Sequence, residues 1–144
     1  MKIRQEHLDA IAMHGRTGYP YEVCGVLLGK YGEGRVSAVV QMFNREREKP
    51  RVRYHMDAED LMLITQRYRE AGLDIVGYYH THPDHPPRPS PTDLARAMET
   101  GGLTDGSVHI VMGIEGGTKA SAPCGWIFRF DAERFDEEPF EIEE

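Results

Sequence analysis

IVGYYHTHPDHPPRPSPTD, residues 75–93, decides how the chain is read. With Asp74 before it, the part up to His82 is apolar, β-branched and aromatic over strand length, so it predicts a strand. Alternate residues of a strand share a face. His80 and His82 therefore project from the same side, roughly 6.6 Å apart at the backbone. A loop stiffened by Pro83, Pro86, Pro87 and Pro89 follows and leads to Ser90-Pro91-Thr92-Asp93. That tetrapeptide reads as a helix start, with Ser90 as N-cap, Pro91 at the first helical position and an acid at the third. The pattern is His-x-His, ten residues, Asp, carried on a strand, a stiff loop and a helix.

Two neutral imidazoles and one carboxylate are a ligand set suited to catalytic zinc, which keeps a fourth position open for water or substrate. Each piece also has an ordinary structural reading. Histidines are often simply exposed or hydrogen-bonded, and an acid three residues after a serine is a common helix cap. Hydrolysis at such a centre further requires a carboxylate to move the water's proton and a donor for the developing oxyanion. Glu22 and Ser90 are candidates, but spacing alone does not select Glu22 from the other acids. His7, His14, His55 and His109 are read as surface or core residues. His85 lies in the loop, but as a fourth protein ligand it would displace the water.

Outward from this stretch the chain alternates helices and strands. Leu8, Ile11 and Ala12 at helical spacing predict a first helix from Gln5 that ends near Gly15 or Gly18. VCGVLLG (23–29) and RVSAVVQMF (35–43) predict a hairpin across the turn marked by Gly32 and Gly34. Asp57 caps a helix from Ala58 to Ala71 that buries Leu61, Ile64 and Tyr68. VHIVMGI (108–114) and GWIFRFD (125–131) read as later strands, joined by EGGTKASAPC, a long polar loop expected to be mobile. Helices between strands predict an α/β fold, a mixed sheet covered by helices.

Composition narrows the function classes. The 144 residues suffice for one domain with a real core, so a metal is not needed merely to staple it. Cys24 and Cys124 form no CxxC pair and read as reduced, small apolar residues, with a nucleophilic Cys24 as the sharper alternative. The net charge is −7. Residues 131–144 hold eight of the 24 acids and a single base, Arg134, and read as a solvated, partly disordered tail after a domain of 1–130. Neither a basic surplus for nucleic acid nor an apolar stretch for a membrane is present, and the N-terminus lacks the apolar run of a signal peptide, so a cytoplasmic protein is expected. Arg45, Arg47, Lys49, Arg51 and Arg53 alternate, which in an extended chain puts all five on one face. That face reads as a solvated edge or as a dock for an acidic partner.

Glu22, then His80-Thr81-His82, seven residues, Ser90, two residues and Asp93 together resemble the active-site signature of the JAMM metallopeptidases, the catalytic branch of the MPN domain family. YPYEVCGVLLG and IVGYYHTHPDHPPRPSPTD resemble that family's short single-domain bacterial members, and the likeness covers most of residues 1–130. The resemblance implies a cytidine-deaminase-like three-layer fold. It implies zinc on His80, His82 and Asp93, Glu22 as the general base and Ser90 as the oxyanion donor. It also implies cleavage of a peptide or isopeptide bond after the C-terminal diglycine of a ubiquitin-like or sulfur-carrier protein. Thr81 stands where the family often has serine, and a β-branched residue suits the strand. A protein-binding scaffold and a zinc hydrolase of small amides are the alternatives. The motifs of other zinc enzymes, His-Glu-x-x-His and His-x-Glu with Pro-Cys-x-x-Cys, are absent.

Overall fold

The computed structural model describes residues 1–143. β1 (Lys2–Arg4) runs into α1 (Gln5–Gly18). β2 (Cys24–Gly29) and β3 (Ala38–Met42) form the expected antiparallel hairpin. α2 (Ala58–Arg69) precedes β4 (Asp74–Pro83), and α3 (Pro91–Glu99) precedes β5 (Val108–Glu115). β6 (Lys119–Ala120), β7 (Cys124–Arg129), β8 (Arg134–Glu137) and β9 (Glu141–Glu143) complete the chain. The main sheet has the order β3-β2-β4-β5-β7-β8, with β6 on β5, and a separate ribbon pairs β1 with β9. β4 and β5 are parallel and the other pairs of this sheet antiparallel, so the sheet is mixed. Parallel neighbours need a long crossover, and here α3 lies within it.

Strand alternation sorts the core into two layers around the sheet. Leu8, Ile11 and Ala12 of α1 pack with Leu27, Tyr79 and Ile110 on one face. Cys24, Val26 and Leu28 pack with Leu61, Ile64 and Tyr68 of α2 on the other. Each fully buried Leu or Ile contributes roughly 1.5–3 kcal/mol, so both layers help hold the sheet between them. At Gly25 a Cβ would come within 2.2 Å of the Tyr79 ring. Only glycine lets that ring lie across β2. His80 and His82 fall on the α2 face, while Thr81 points the other way and accepts a hydrogen bond from the Val23 N–H.

Four expectations need correction. α2 stops at Arg69, short of Ala71, and Leu61, Ile64 and Tyr68 face the core as expected but are only half-buried there. Residues 45–53 are not extended: a turn at 50–52 separates Arg53 from Arg45, which pairs with Asp60 at 3.0 Å. The five bases therefore do not share a face. The loop after β5 turns through Gly116 and Gly117, both at positive φ, and returns as β6, so it is a short hairpin. The acidic end is also structured, with β8 on β7 and β9 parallel to β1. Two of its acids find partners, Asp136 with Arg129 and Arg134 and Glu143 with Arg35, and Phe135 packs on Phe128. Glu144, the last residue of that stretch, lies outside the described residues. Among the described residues no helix is long and apolar enough to cross a membrane.

Candidate metal centre

β2 and β4 pair antiparallel with Cys24 opposite His80. The pairing continues one step beyond β2: the Thr81 N–H donates to the Val23 carbonyl at 3.0 Å, and Thr81 Oγ1 accepts from the Val23 N–H at 3.1 Å. One residue further this brings Glu22 across from His82, on the same face. Register therefore selects Glu22 where spacing did not. From the opposite side the loop delivers Asp93. Its turns are pinned by Asp84 N–H to the Ile114 carbonyl at 2.8 Å and by the Trp126 indole N–H to the Pro87 carbonyl at 3.1 Å. At the start of α3, Ser90 Oγ accepts from the Asp93 N–H at 3.1 Å and Asp93 Oδ2 accepts from the Ser90 N–H at 2.8 Å. The capping box expected from sequence thus fixes the rotamer of the carboxylate.

Three atoms converge. His80 Nε2 and His82 Nε2 are 3.0 Å apart, and Asp93 Oδ2 is 3.1 and 3.2 Å from them. With Glu22 the four potential donor atoms lie within 4.8 Å of one another, and all four residues are buried. Zinc–ligand bonds of 2.0–2.2 Å in tetrahedral geometry put ligand atoms about 3.3–3.6 Å apart, a few tenths of an ångström wider than the observed triangle. His82 Nδ1 lies 2.8 Å from the Pro86 carbonyl, an acceptor only, so the ring proton sits on Nδ1. A neutral His82 then turns a lone pair, not a proton, toward the Asp93 carboxylate. Without a metal a proton on His82 Nε2 joins the two at hydrogen-bond distance, and a bound cation would take that proton's place. Glu22 Oε1 and His80 Nδ1 are buried without a hydrogen-bond partner, and the His80 ring is held by stacking on Tyr54 at 4.6 Å. These observations fit a metal on His80, His82 and Asp93 with Glu22 beside it.

The electrostatics agree. Burial would raise Asp93, but the hydrogen bonds from the two imidazoles outweigh it and hold the carboxylate well below its usual range. Burial lowers His80. Burial also opposes protonation of His82, yet Asp93 and the Pro86 carbonyl more than offset it, so without metal that imidazole is raised. A metal displaces the proton shared there, as ligand binding by imidazole requires. Glu22 is pushed up to about 8, mainly by burial and further by Asp93, while His82 and Arg96 act the other way. Cys24 is buried and pushed up to about 12 by burial and then by Glu22, which removes it as a nucleophile near neutral pH.

Glu22, His82 and Ser90 open onto a cleft of about 450 Å³ whose rim carries Lys49, Arg53 and Arg88. A second, smaller cavity of about 270 Å³ lies beyond Asp93 against Tyr54, Tyr78 and His109, without Glu22 or Ser90. The other histidines stay out of the centre. His14 Nδ1 is 2.7 Å from the Tyr79 hydroxyl, and His109 Nε2 is 2.9 Å from Ser107 Oγ. His85 reaches the cleft rim but is outside the cluster. Sequence reading missed Asn44, Tyr54 and Arg96, which buttress the site. An asparagine just after a predicted strand signals a turn, and nothing in that signal points to a distant carboxylate.

The family described as prokaryotic homologs of the JAB domain matches residues 4–126. A desampylase of Haloferax volcanii is 42% identical over 97 residues, covering 65% of this chain and 69% of the relative. A CysO-cysteine peptidase of Mycobacterium tuberculosis is 32% identical over 97 residues, covering 67% of this chain and 65% of the relative. The match thus spans about two thirds of each relative's length. Among solved structures, a protein from Salinibacter ruber is 36% identical with a TM-score of 0.74, covering 99% of this chain and 92% of that one. A JAB1/MPN domain protein from Archaeoglobus fulgidus shares the fold at a TM-score of 0.62 and 18% identity over the full length of both.

Proposed function

We infer the function from one premise: this chain belongs to the family of prokaryotic homologs of the JAB domain, the small prokaryotic branch of the JAMM/MPN proteins. The reading is a zinc-dependent peptidase or isopeptidase that hydrolyses the amide bond after the C-terminal diglycine of a ubiquitin-like or sulfur-carrier protein. One observation carries it. His80, His82 and Asp93 converge on a single point, with Glu22 beside it, at the wall of an open cleft. Relatives named desampylase and CysO-cysteine peptidase support a hydrolase of this type. A scaffold has no evident use for four buried metal-ligating side chains gathered at one point.

His80 Nε2, His82 Nε2 and Asp93 Oδ2 would hold the zinc. When bound, zinc supplies a Lewis acid and lowers the pKa of its water from about 15.7 toward about 7. Glu22 accepts the water's proton and delivers it to the leaving amine nitrogen. The unpartnered Oε1 of Glu22 is free for this, and a cation in the cluster stabilises the carboxylate that burial alone disfavours. Ser90 Oγ spends a lone pair on the Asp93 N–H. Its O–H remains to donate to the carbonyl oxygen as charge develops there.

Ser90→Ala separates the two roles of that hydroxyl. Loss of an oxyanion donor is expected to lower turnover by roughly 2.7–4 kcal/mol of barrier, while loss of the cap costs about 1 kcal/mol of stability. Steady-state rates measured beside melting curves decide it. A lower melting temperature with normal turnover leaves Ser90 only the cap.

Glycine lacks Cβ and so allows close backbone approach to the centre. Among the described residues, the side-chain charges of Lys49, Arg53 and Arg88 have no carboxylate within 4.0 Å, so the cleft rim stays available to an acidic carrier. Such steering acts on association rate and weakens with salt. The test is a diglycine-ending carrier fused to a short peptide, with release followed by mass spectrometry. The expected result is a single cut after the diglycine and none when it is replaced by dialanine. Equal cleavage of both, or many cuts in unfolded proteins, points to a general peptidase and removes the carrier.

A further inference from the structure

Glu22 lies before β2, where no strand neighbour flanks it on the side away from β4. Its backbone is held instead by the 44–55 loop. The Glu22 N–H donates to the Pro50 carbonyl at 2.8 Å, and the Glu22 carbonyl accepts from Asn44 Nδ2 at 3.0 Å. The same Nδ2 donates to the Arg53 carbonyl at 3.0 Å, and Asn44 Oδ1 accepts from the Glu46 and His55 N–H groups, both at 3.0 Å. An asparagine side chain has two amide hydrogens and two acceptor lone pairs. Asn44 uses all four, each on backbone. One half-buried side chain thus ties the start of the loop, its end and Glu22 into a single knot.

The knot reaches the metal side as well. Arg45 N–H donates to the His55 carbonyl at 2.9 Å, closing the loop's base beside Asn44. Arg96 of α3, one turn after Asp93, donates to the Tyr54 carbonyl at 2.9 Å and pairs with Glu46 at 2.8 Å. Tyr54 in turn stacks on His80. The loop therefore bridges the strand end that carries Glu22 and the helix that carries Asp93.

We propose that Asn44 is the positioning residue for Glu22: its amide clasps the 44–55 loop against the Glu22 backbone and so sets the carboxylate relative to the His80, His82 and Asp93 cluster. An ordinary turn asparagine satisfies its own neighbours. This one spends a donor on a residue 22 positions away. The carboxylate itself makes no hydrogen bond through its buried Oε1, so backbone placement is what aims it. A displacement of about 1 Å at a reacting group costs roughly 10²-fold in rate.

The catalytic half of this inference rests on the hydrolase reading, so the test has two readouts. The first needs no activity: amide hydrogen exchange in chelator-treated protein, comparing wild type with Asn44→Asp and Asn44→Ala. Asn44→Asp keeps the acceptors for Glu46 and His55 but loses both donors, and is the variant expected to fold where alanine does not. Faster exchange confined to Glu22 and the 49–55 segment, with β4 and β5 unchanged, supports the clasp. Unchanged exchange at Glu22, or faster exchange throughout the sheet, overturns it. The second readout is kinetic, on the diglycine fusion with zinc loaded. Asn44→Asp should lower kcat by roughly 10²-fold with little change in KM, and the loss should vanish when Glu22 is already glutamine. An equal loss in both backgrounds shows a general structural role and overturns the proposal. A wild-type protein that cleaves no amide defeats the hydrolase reading, while the exchange result still decides the clasp.

Discussion

Glu22→Gln is expected to lower kcat by about 10²- to 10⁴-fold while the purified protein still carries about one zinc per chain. The substitution keeps shape and volume but leaves an amide that cannot accept a proton. None of the three converging atoms belongs to Glu22, whose carboxylate stands within 4.8 Å of them. A second consequence separates loss of the base from loss of fold. In metal-free protein the Glu22 carboxyl is pushed up to about 8 from its ordinary 4.5, chiefly by burial. Between those values the folded chain keeps a proton that the unfolded chain has released, so wild-type stability falls as pH rises through this window. Glutamine carries no such linkage. Chelated Glu22→Gln should therefore match wild type near pH 4.5 and exceed it increasingly toward pH 8, by at most about 5 kcal/mol. Melting curves across that range check the linkage, and rate assays with metal analysis check the base. Normal turnover with full zinc removes Glu22 from the mechanism.

The parts of the site that lie close together in sequence were legible, because local rules govern them. Strand alternation put His80 and His82 on one face, and the Ser90–Asp93 spacing announced a capping box that the structure contains. The link between that stretch and Glu22 was not legible from spacing. It depends on β2 pairing with β4 in one register across some fifty intervening residues, and only resemblance to a family singled the residue out. Asn44 was missed for the same reason, since its decisive partner is distant. The alternating bases at 45–53 misled because the extended backbone assumed for them is broken by the turn at 50–52. Charge misled again at the acidic end. Low hydrophobicity suggested disorder, yet Phe135 and Ile142 carry β8 and β9 into the sheets and arginines from elsewhere in the chain neutralise two of the acids.

His82→Ala should leave the protein with little zinc and no measurable amide hydrolysis, and Asp93→Ala should do the same. Three protein ligands are the usual minimum for a catalytic zinc site, so removal of either residue leaves two. The loss reaches beyond one bond. His82 is oriented by its Nδ1 proton on the Pro86 carbonyl, and Asp93 by the Ser90 N–H, so each ligand arrives with its own support. Such outer partners typically alter metal affinity 10- to 100-fold by themselves, and loss of the ligand itself exceeds that. A zinc held by residues that only folding brings together would couple occupancy to stability through mass action. Wild type should melt at a higher temperature with zinc than after chelation, because the ligand is held by the folded arrangement of His80, His82 and Asp93. In His82→Ala that zinc-dependent shift should disappear, while Glu22→Gln retains it. Asp93→Ala also loses the carboxylate half of the capping box, the acceptor of the Ser90 N–H, so its metal-free form should melt lower by up to about 1 kcal/mol of stability, an effect separable from zinc because chelator leaves it unchanged. Metal analysis by mass spectrometry together with melting curves with and without chelator reads both quantities. Full zinc and an intact thermal shift in His82→Ala and Asp93→Ala would place the metal elsewhere, and the convergence of these side chains would then need another explanation.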